Sequence, residues 1–265
     1  MDAMLRQHPQ VFLPKHQKEV FYFDRYHDRG DDWYKALFKA ARDQTAIGEI
    51  STSYLASSDA LDRLHAFNPD VKIVIILRHP VARMVSHFRM LRENGRTKEN
   101  FEASVGHYSV LRNASSYAAN LAHLFSLFPR EQVHLAIYEE IFADPDATSG
   151  YLTSLQNFLG VLPHDGQAAA GKTKVRETMG APRSDWLIKR AKKTRRRLRQ
   201  YDLEWVVSAA ARIGIDRRLF LKKGATDPIP APVLSRLCGE MAGDMAYVET
   251  LLGRDIPAWQ EAYTN

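Results

Sequence analysis

The residues best suited to chemistry sit at one junction. Val71–Leu77 (VKIVIIL) is a nearly unbroken β-branched run, and Arg78-His79-Pro80 follows it directly. Pro80 stands where a helix can begin, and VARMVSHFRMLRE after it reads as that helix. An arginine at the carboxyl edge of a strand can grip phosphate or sulfate through two parallel, charge-assisted hydrogen bonds. The helix start adds unpaired N–H groups, and Ser86, about two turns in, can add a hydroxyl. The same spacing also fits an Arg78 paired with a nearby acid and a Ser86 that merely packs. Spacing alone does not choose between the two.

Two further segments carry reactive residues. In Lys18–Asp24 (KEVFYFD), Val20, Tyr22 and Asp24 alternate with Glu19, Phe21 and Phe23. A carboxylate beside aromatics is desolvated, which raises its proton affinity and suits it to act as a base. A surface Lys18–Glu19 pair beside a core edge explains the same residues, and from the residues alone it is the better reading. Gly166–Thr173 (GQAAAGKT) matches the nucleoside-triphosphate pattern GxxxxGK[ST]. That loop works between a strand and a helix. Here a helix ending at Gly160 precedes it, and the following KVRETMGAPRS has no apolar periodicity. It is expected to be a decoy; a kinase acting through Lys172 is the alternative it would imply. The ten histidines show no HExxH or paired-ligand spacing, and the single cysteine, Cys238, excludes a Cys-based zinc site and an internal disulfide. No metal site is expected.

The elements that must position these residues alternate. Thr45–Ile50, Val71–Leu77 and Val133–Tyr138 read as strands. Ser115–Phe128 reads as a helix capped by Ser115 or Ser116, and Asp146–Leu159 as another with Gly160 at its end. Strands separated by helices predict an α/β fold with a parallel sheet. The last third reads as helical, over about Ser184–Gln200, Leu203–Arg212 and Ala231–Leu252. In the last of these, Leu234, Leu237, Met241, Met245, Val248 and Leu252 mark one face, which predicts core packing.

Of the 265 residues, 45% are hydrophobic and 26% charged, enough for a packed core and too apolar for a disordered chain. No run approaches the roughly 18 apolar residues of a membrane span. With no signal-peptide pattern at the start, a cytoplasmic, reducing location is expected. The net charge is +6, and Lys189–Arg199 alone holds eight basic residues, so the remainder is 6 − 8 = −2. Such a run suits nucleic acid, an acidic membrane, an anionic substrate or plain solvation. No aromatics interleave with it, so nucleic acid is not the expected partner.

Together these segments resemble the sulfotransferases that use 3′-phosphoadenosine 5′-phosphosulfate (PAPS), the heparan-sulfate type and its bacterial relatives above all. IVIILRHPVARMVSHFRM is similar to their strand, Arg-x-Pro, helix motif with a serine eight residues after the arginine. The resemblance implies that Arg78 and Ser86 bind the 3′-phosphate of PAPS. QHPQVFLPKHQKEVFYFD followed by WYKALF resembles the segment with the catalytic glutamate, which implies Glu19 as base and Asp24 as an acceptor contact. GEISTSYL is similar to Glu-Lys-Thr-Pro-x-Tyr, with Ile50 in place of the lysine. VHLAIYEEIFADP, NFLGV and LLGRDIPAW follow in the family order. The resemblance implies one domain over residues 1–265, a P-loop-NTPase-like parallel sheet flanked by helices, and a helical C-terminal third. It implies sulfuryl transfer to a hydroxyl or amine of a glycan or small acceptor, with no metal. The first strand and the 5′-phosphosulfate loop are expected to be missing ahead of Met1. That absence favours an impaired enzyme, or a protein that only binds a nucleotide or anionic polymer. Arg183 in Gly-Ala-Pro-Arg-Ser matches too loosely to be assigned a cofactor contact.

Overall fold

The computed structural model describes residues 2–15, 17–164, 228–260 and 262. Helix α1 (Asp2–Leu5) leads into β1 (Val11–Phe12). A single helical turn, α2 (Tyr22–Arg25), and α3 (Gly30–Ala36) precede β2 (Ala46–Ile47). β1 and β2 pair in parallel, with Val11 opposite Ala46. α4 (Ser58–Phe67) then enters β3 (Ile73–Leu77), and α5 (Pro80–Glu93) leaves it. α6 (Phe101–His107), α7 (Ser109–Asn113) and α8 (Tyr117–Leu127) bring the chain back to β4 (Val133–Ile137). β3 and β4 are parallel neighbours, in register from Ile73 opposite Val133 to Leu77 opposite Ile137. α9 (Tyr138–Ile141), α10 (Pro145–Leu159), α11 (Ala231–Glu240), α12 (Ala242–Leu252) and α13 (Pro257–Gln260) complete the described elements.

The parallel α/β reading holds, with helices packed on the strands. Among the described residues the strands form two separate parallel pairs rather than one continuous sheet. The strand expected over Thr45–Ile50 shortens to two residues, and its partner at Val11–Phe12 was not foreseen. Alternation at Lys18–Asp24 does not make a strand. Val20, Phe21, Tyr22 and Phe23 are all buried, because Phe21 turns left-handed (φ 57°, ψ 31°) and α2 begins at once.

Helix α8 forms where the apolar spacing places it, but neither serine caps it. Ser115 is fully buried and donates instead to the Pro80 carbonyl at 3.0 Å while accepting from Arg83 Nε at 2.7 Å. The capping acceptor comes from another element: Asp244 Oδ1 of α12 takes the Ala118 N–H at 2.9 Å. α10 begins one residue earlier than expected, behind an Asp144 cap, and ends as expected on Gly160 in the left-handed region. The predicted helix over Ala231–Leu252 is two helices that meet at Met241. Its apolar stripe is core, divided between two clusters. Leu237 and Met241 pack with α5, and Val248 packs with β3, β4 and α8. A third cluster joins Val20, Tyr22 and Phe23 to Tyr54 and Ala60.

Among the described residues no helix is long and apolar enough to cross a membrane. No group of three or more metal-ligating side chains stands together there either. The GQAAAGKT segment, Arg183, the Lys189–Arg199 run and the helices expected over 184–212 lie outside the described residues.

Candidate active site

The corner after β3 is built by local rules. His79 is the N-cap of α5 and Pro80 occupies its first turn, a position that needs no N–H. Arg78 is thereby held at the carboxyl end of a parallel strand. In open parallel sheets ligands bind outside that end. Tyr117 of α8 donates its hydroxyl to the Arg78 carbonyl at 2.7 Å and fixes the backbone. The Arg78 side chain is 39% exposed, its Nε lies 3.8 Å from Glu139 Oε1, and its guanidinium stands 5.1 Å over the Tyr138 ring.

An acid therefore does lie near Arg78, but it is already engaged. Glu139 Oε1 accepts the His79 N–H at 3.0 Å, and Oε2 accepts the Trp259 indole N–H at 3.0 Å. Arg78 Nε, shielded from solvent, has no hydrogen-bond partner among the described residues. Glu139 supplies a fixed counter-charge while the guanidinium keeps donors for an incoming anion. Two parallel contacts of that kind are the geometry arginine offers to phosphate. Ser86 lies on the same helix, exposed, about 9 Å along the axis from Pro80 by helical rise.

The second half of the site is the loop carrying Glu19 and Asp24. Its left-handed Phe21 costs a non-glycine residue about 1–2 kcal/mol, and residues 50–54 hold it there. Val20 N–H donates to the Ile50 carbonyl at 3.2 Å, Phe21 N–H to Ser51 Oγ at 3.0 Å, and Phe23 N–H to the Tyr54 hydroxyl at 3.2 Å. Thr52 Oγ1 donates to Glu19 Oε1 at 3.1 Å and Ser53 Oγ to Asp24 Oδ2 at 2.5 Å. Beneath them, burial pushes the Glu49 carboxyl up to about 7. Hydrogen bonds from Tyr54, Ser51 and Tyr34 work against that rise, and the Asp24 charge adds to it.

His87, next to Ser86 on α5, is pushed down to about 4 by burial and by the charges of Arg83, Arg96 and Arg25. Arg25 follows Asp24 directly, so the acidic loop lies within electrostatic reach of His87 on α5.

Residues 52–165 match the family model described as "Sulfotransferase family". That stretch of the chain is therefore similar to the sulfotransferase family. Human heparan sulfate glucosamine 3-O-sulfotransferase 6 is 29% identical to it over 165 residues, 59% of this chain and 47% of that protein. Human heparan sulfate glucosamine 3-O-sulfotransferase 3B1 is 29% identical over 166 residues, 59% of this chain and 41% of that protein. The chain thus spans about half the length, or less, of these curated relatives. The crystal structure of a sulfotransferase from Alicyclobacillus acidocaldarius shares its fold. The TM-score is 0.65 at 24% identity, covering 98% of this chain and 92% of that one.

The structure sets Arg78 and Ser86 on one strand–helix corner and Glu19 and Asp24 on one loop. Sequence reasoning passed over Glu139, Tyr138, Trp259, Thr52 and Ser53. Each acts across a distance in sequence that no local spacing encodes. The nearest signal was the hydroxyl run Ser51-Thr52-Ser53 inside GEISTSYL.

Proposed function

We propose that this chain moves a sulfuryl group from PAPS to a hydroxyl, or an amine, of a carbohydrate or other small acceptor, and does so as one domain over residues 1–265. The observation that carries the reading is the Arg78 corner. It is a half-exposed guanidinium at a helix start, with its neighbouring carboxylate already taken up by the His79 and Trp259 N–H groups. In this reading Arg78 and Ser86 hold the 3′-phosphate. A glycan acceptor is supported by the names of the heparan sulfate relatives.

The reaction is an in-line displacement. The acceptor oxygen attacks sulfur, the bond from sulfur to the 5′-phosphate oxygen breaks, and Glu19 takes the acceptor proton. Adenosine 3′,5′-bisphosphate leaves. Asp24 accepts a hydrogen bond from the acceptor and orients it. Catalysis of this kind rests on positioning and electrostatic stabilisation rather than on covalent steps.

Transfer of label from radioactive PAPS to a panel of glycans tests the proposal. Wild type is expected to label at least one acceptor. Glu19→Gln should lose about 10²–10⁴-fold in turnover while still binding adenosine 3′,5′-bisphosphate. A folded wild type that neither labels any acceptor nor binds the bisphosphate would contradict the assignment.

A further inference from the structure

The acidic loop is held by a ladder of contacts from one neighbouring segment. Ile50 receives Val20, Ser51 receives Phe21 and Tyr54 receives Phe23. These three are backbone N–H groups of the loop, and they fix its path. The two contacts left over are different in kind, because they reach side chains. Thr52 Oγ1 donates to Glu19 Oε1, and Ser53 Oγ donates to Asp24 Oδ2. Each carboxylate thus has one oxygen bound by a hydroxyl of this segment. Asp24 Oδ1 is shielded from solvent and has no hydrogen-bond partner among the described residues.

We infer that Thr52 and Ser53 are positioning residues. Their hydroxyls set the orientation of Glu19 and Asp24, with one oxygen of each carboxylate bound by a hydroxyl, which leaves Glu19 Oε2 for the acceptor proton. A glutamate side chain has three rotatable bonds, and only a narrow range of its rotamers can reach an acceptor proton. Fixing one oxygen removes that freedom before the acceptor arrives. Thr52 lies on the surface side of its turn, with its side chain exposed, so it contributes little to the core. Ser51 supports the pair from below. It accepts the Phe21 N–H and donates to Glu49 Oε1 at 3.4 Å, which holds the left-handed residue between the two carboxylates. The inference rests on the proposed role of Glu19 as base.

The test compares Thr52→Val, which keeps the side-chain shape without the hydroxyl, with Thr52→Ser, which keeps the hydroxyl. Thr52→Val is expected to lower kcat about tenfold or more, leaving KM for PAPS and bisphosphate affinity unchanged, and Thr52→Ser should restore kcat. In a Glu19→Gln background Thr52→Val should cost nothing further, since its effect runs through Glu19. An equal loss in that background, failure of the serine to rescue, or a silent Thr52→Val would each overturn the inference. If Glu19→Gln keeps full turnover, the base assignment has failed instead, and loss in Thr52→Val would then have no route through Glu19. A crystal structure of Thr52→Val gives an activity-independent readout. The Glu19 carboxylate is expected to turn away from its wild-type direction, and an unchanged orientation would overturn the inference.

Discussion

Arg78 keeps its counter-charge at 3.8 Å rather than in hydrogen-bond contact, because both Glu139 oxygens already accept other N–H groups. A hydrogen bond involving a charged group is worth about 1.5–3 kcal/mol. Arg78→Ala should therefore weaken adenosine 3′,5′-bisphosphate binding about 10- to 100-fold by titration calorimetry. Arg78→Lys, a point charge without the planar fork, should recover only part of that. Glu49 gives a pH prediction. Its carboxyl binds a proton more tightly folded than unfolded, so its contribution to stability is full below the ordinary carboxylate range. That contribution is lost as pH rises through about 7. Glu49→Gln mimics the protonated form. Its melting temperature should match wild type near about pH 4 and exceed it by roughly 2–4 °C per kcal/mol gained near about pH 8. A gap that does not widen with pH would contradict the burial of that charge. The strand–helix corner that carries Arg78 and Ser86 was legible in the sequence because strand, arginine, proline and helix are contiguous. Glu139 was not, because it reaches His79 from 60 residues away.

At the scale of elements, the sequence marked where helices run better than what holds their ends. The α8 stripe, with Tyr117, Leu121 and Leu124 buried, follows helical periodicity and is readable from spacing. Its start is not, since the acceptor for Ala118 N–H belongs to Asp244 of α12, 126 residues along the chain. Asp244→Ala should cost about 1 kcal/mol in chemical denaturation, the usual effect of losing an N-terminal cap. Gly160 was readable. It ends α10 at φ 76°, and a Cβ there would meet only Lys72 Nζ at 3.8 Å. Gly160→Ala should therefore destabilise by about 1 kcal/mol through backbone conformation alone; a neutral effect would mean the turn relaxes. The alternation read at Lys18–Asp24 does not become an alternation in burial, since Val20, Phe21, Tyr22 and Phe23 are all buried. The left-handed turn at Phe21 and the helical turn after it send successive side chains into the same aromatic cluster.

For the molecule as a whole, the described C-terminal elements close back on the site. Trp259, 2% exposed, packs into the cluster that contains Ile75 and Leu77 of β3, and its indole N–H holds Glu139. The α/β class was visible in the order of strands and helices. The return of the tail to the Arg78 corner was not, since nothing in LLGRDIPAW says what it packs against. Trp259→Phe keeps the ring and removes the donor. It should free one Glu139 oxygen to bind Arg78 and so lower bisphosphate affinity severalfold while the chain stays folded by circular dichroism; unchanged affinity would mean that Glu139 does not compete for Arg78.

The measurement closest to the central claim needs no acceptor. Wild type and Arg78→Ala are titrated with adenosine 3′,5′-bisphosphate and, separately, with adenosine 5′-monophosphate, and thermal stability is followed. A ligand that binds only the folded state at about a hundred times its Kd adds about 2.7 kcal/mol. The account predicts a rise in melting temperature with the bisphosphate, a much smaller rise with the monophosphate, and loss of that difference in Arg78→Ala. Equal response to both nucleotides, or an Arg78→Ala variant that still tells them apart, would contradict a 3′-phosphate site at the Arg78 corner.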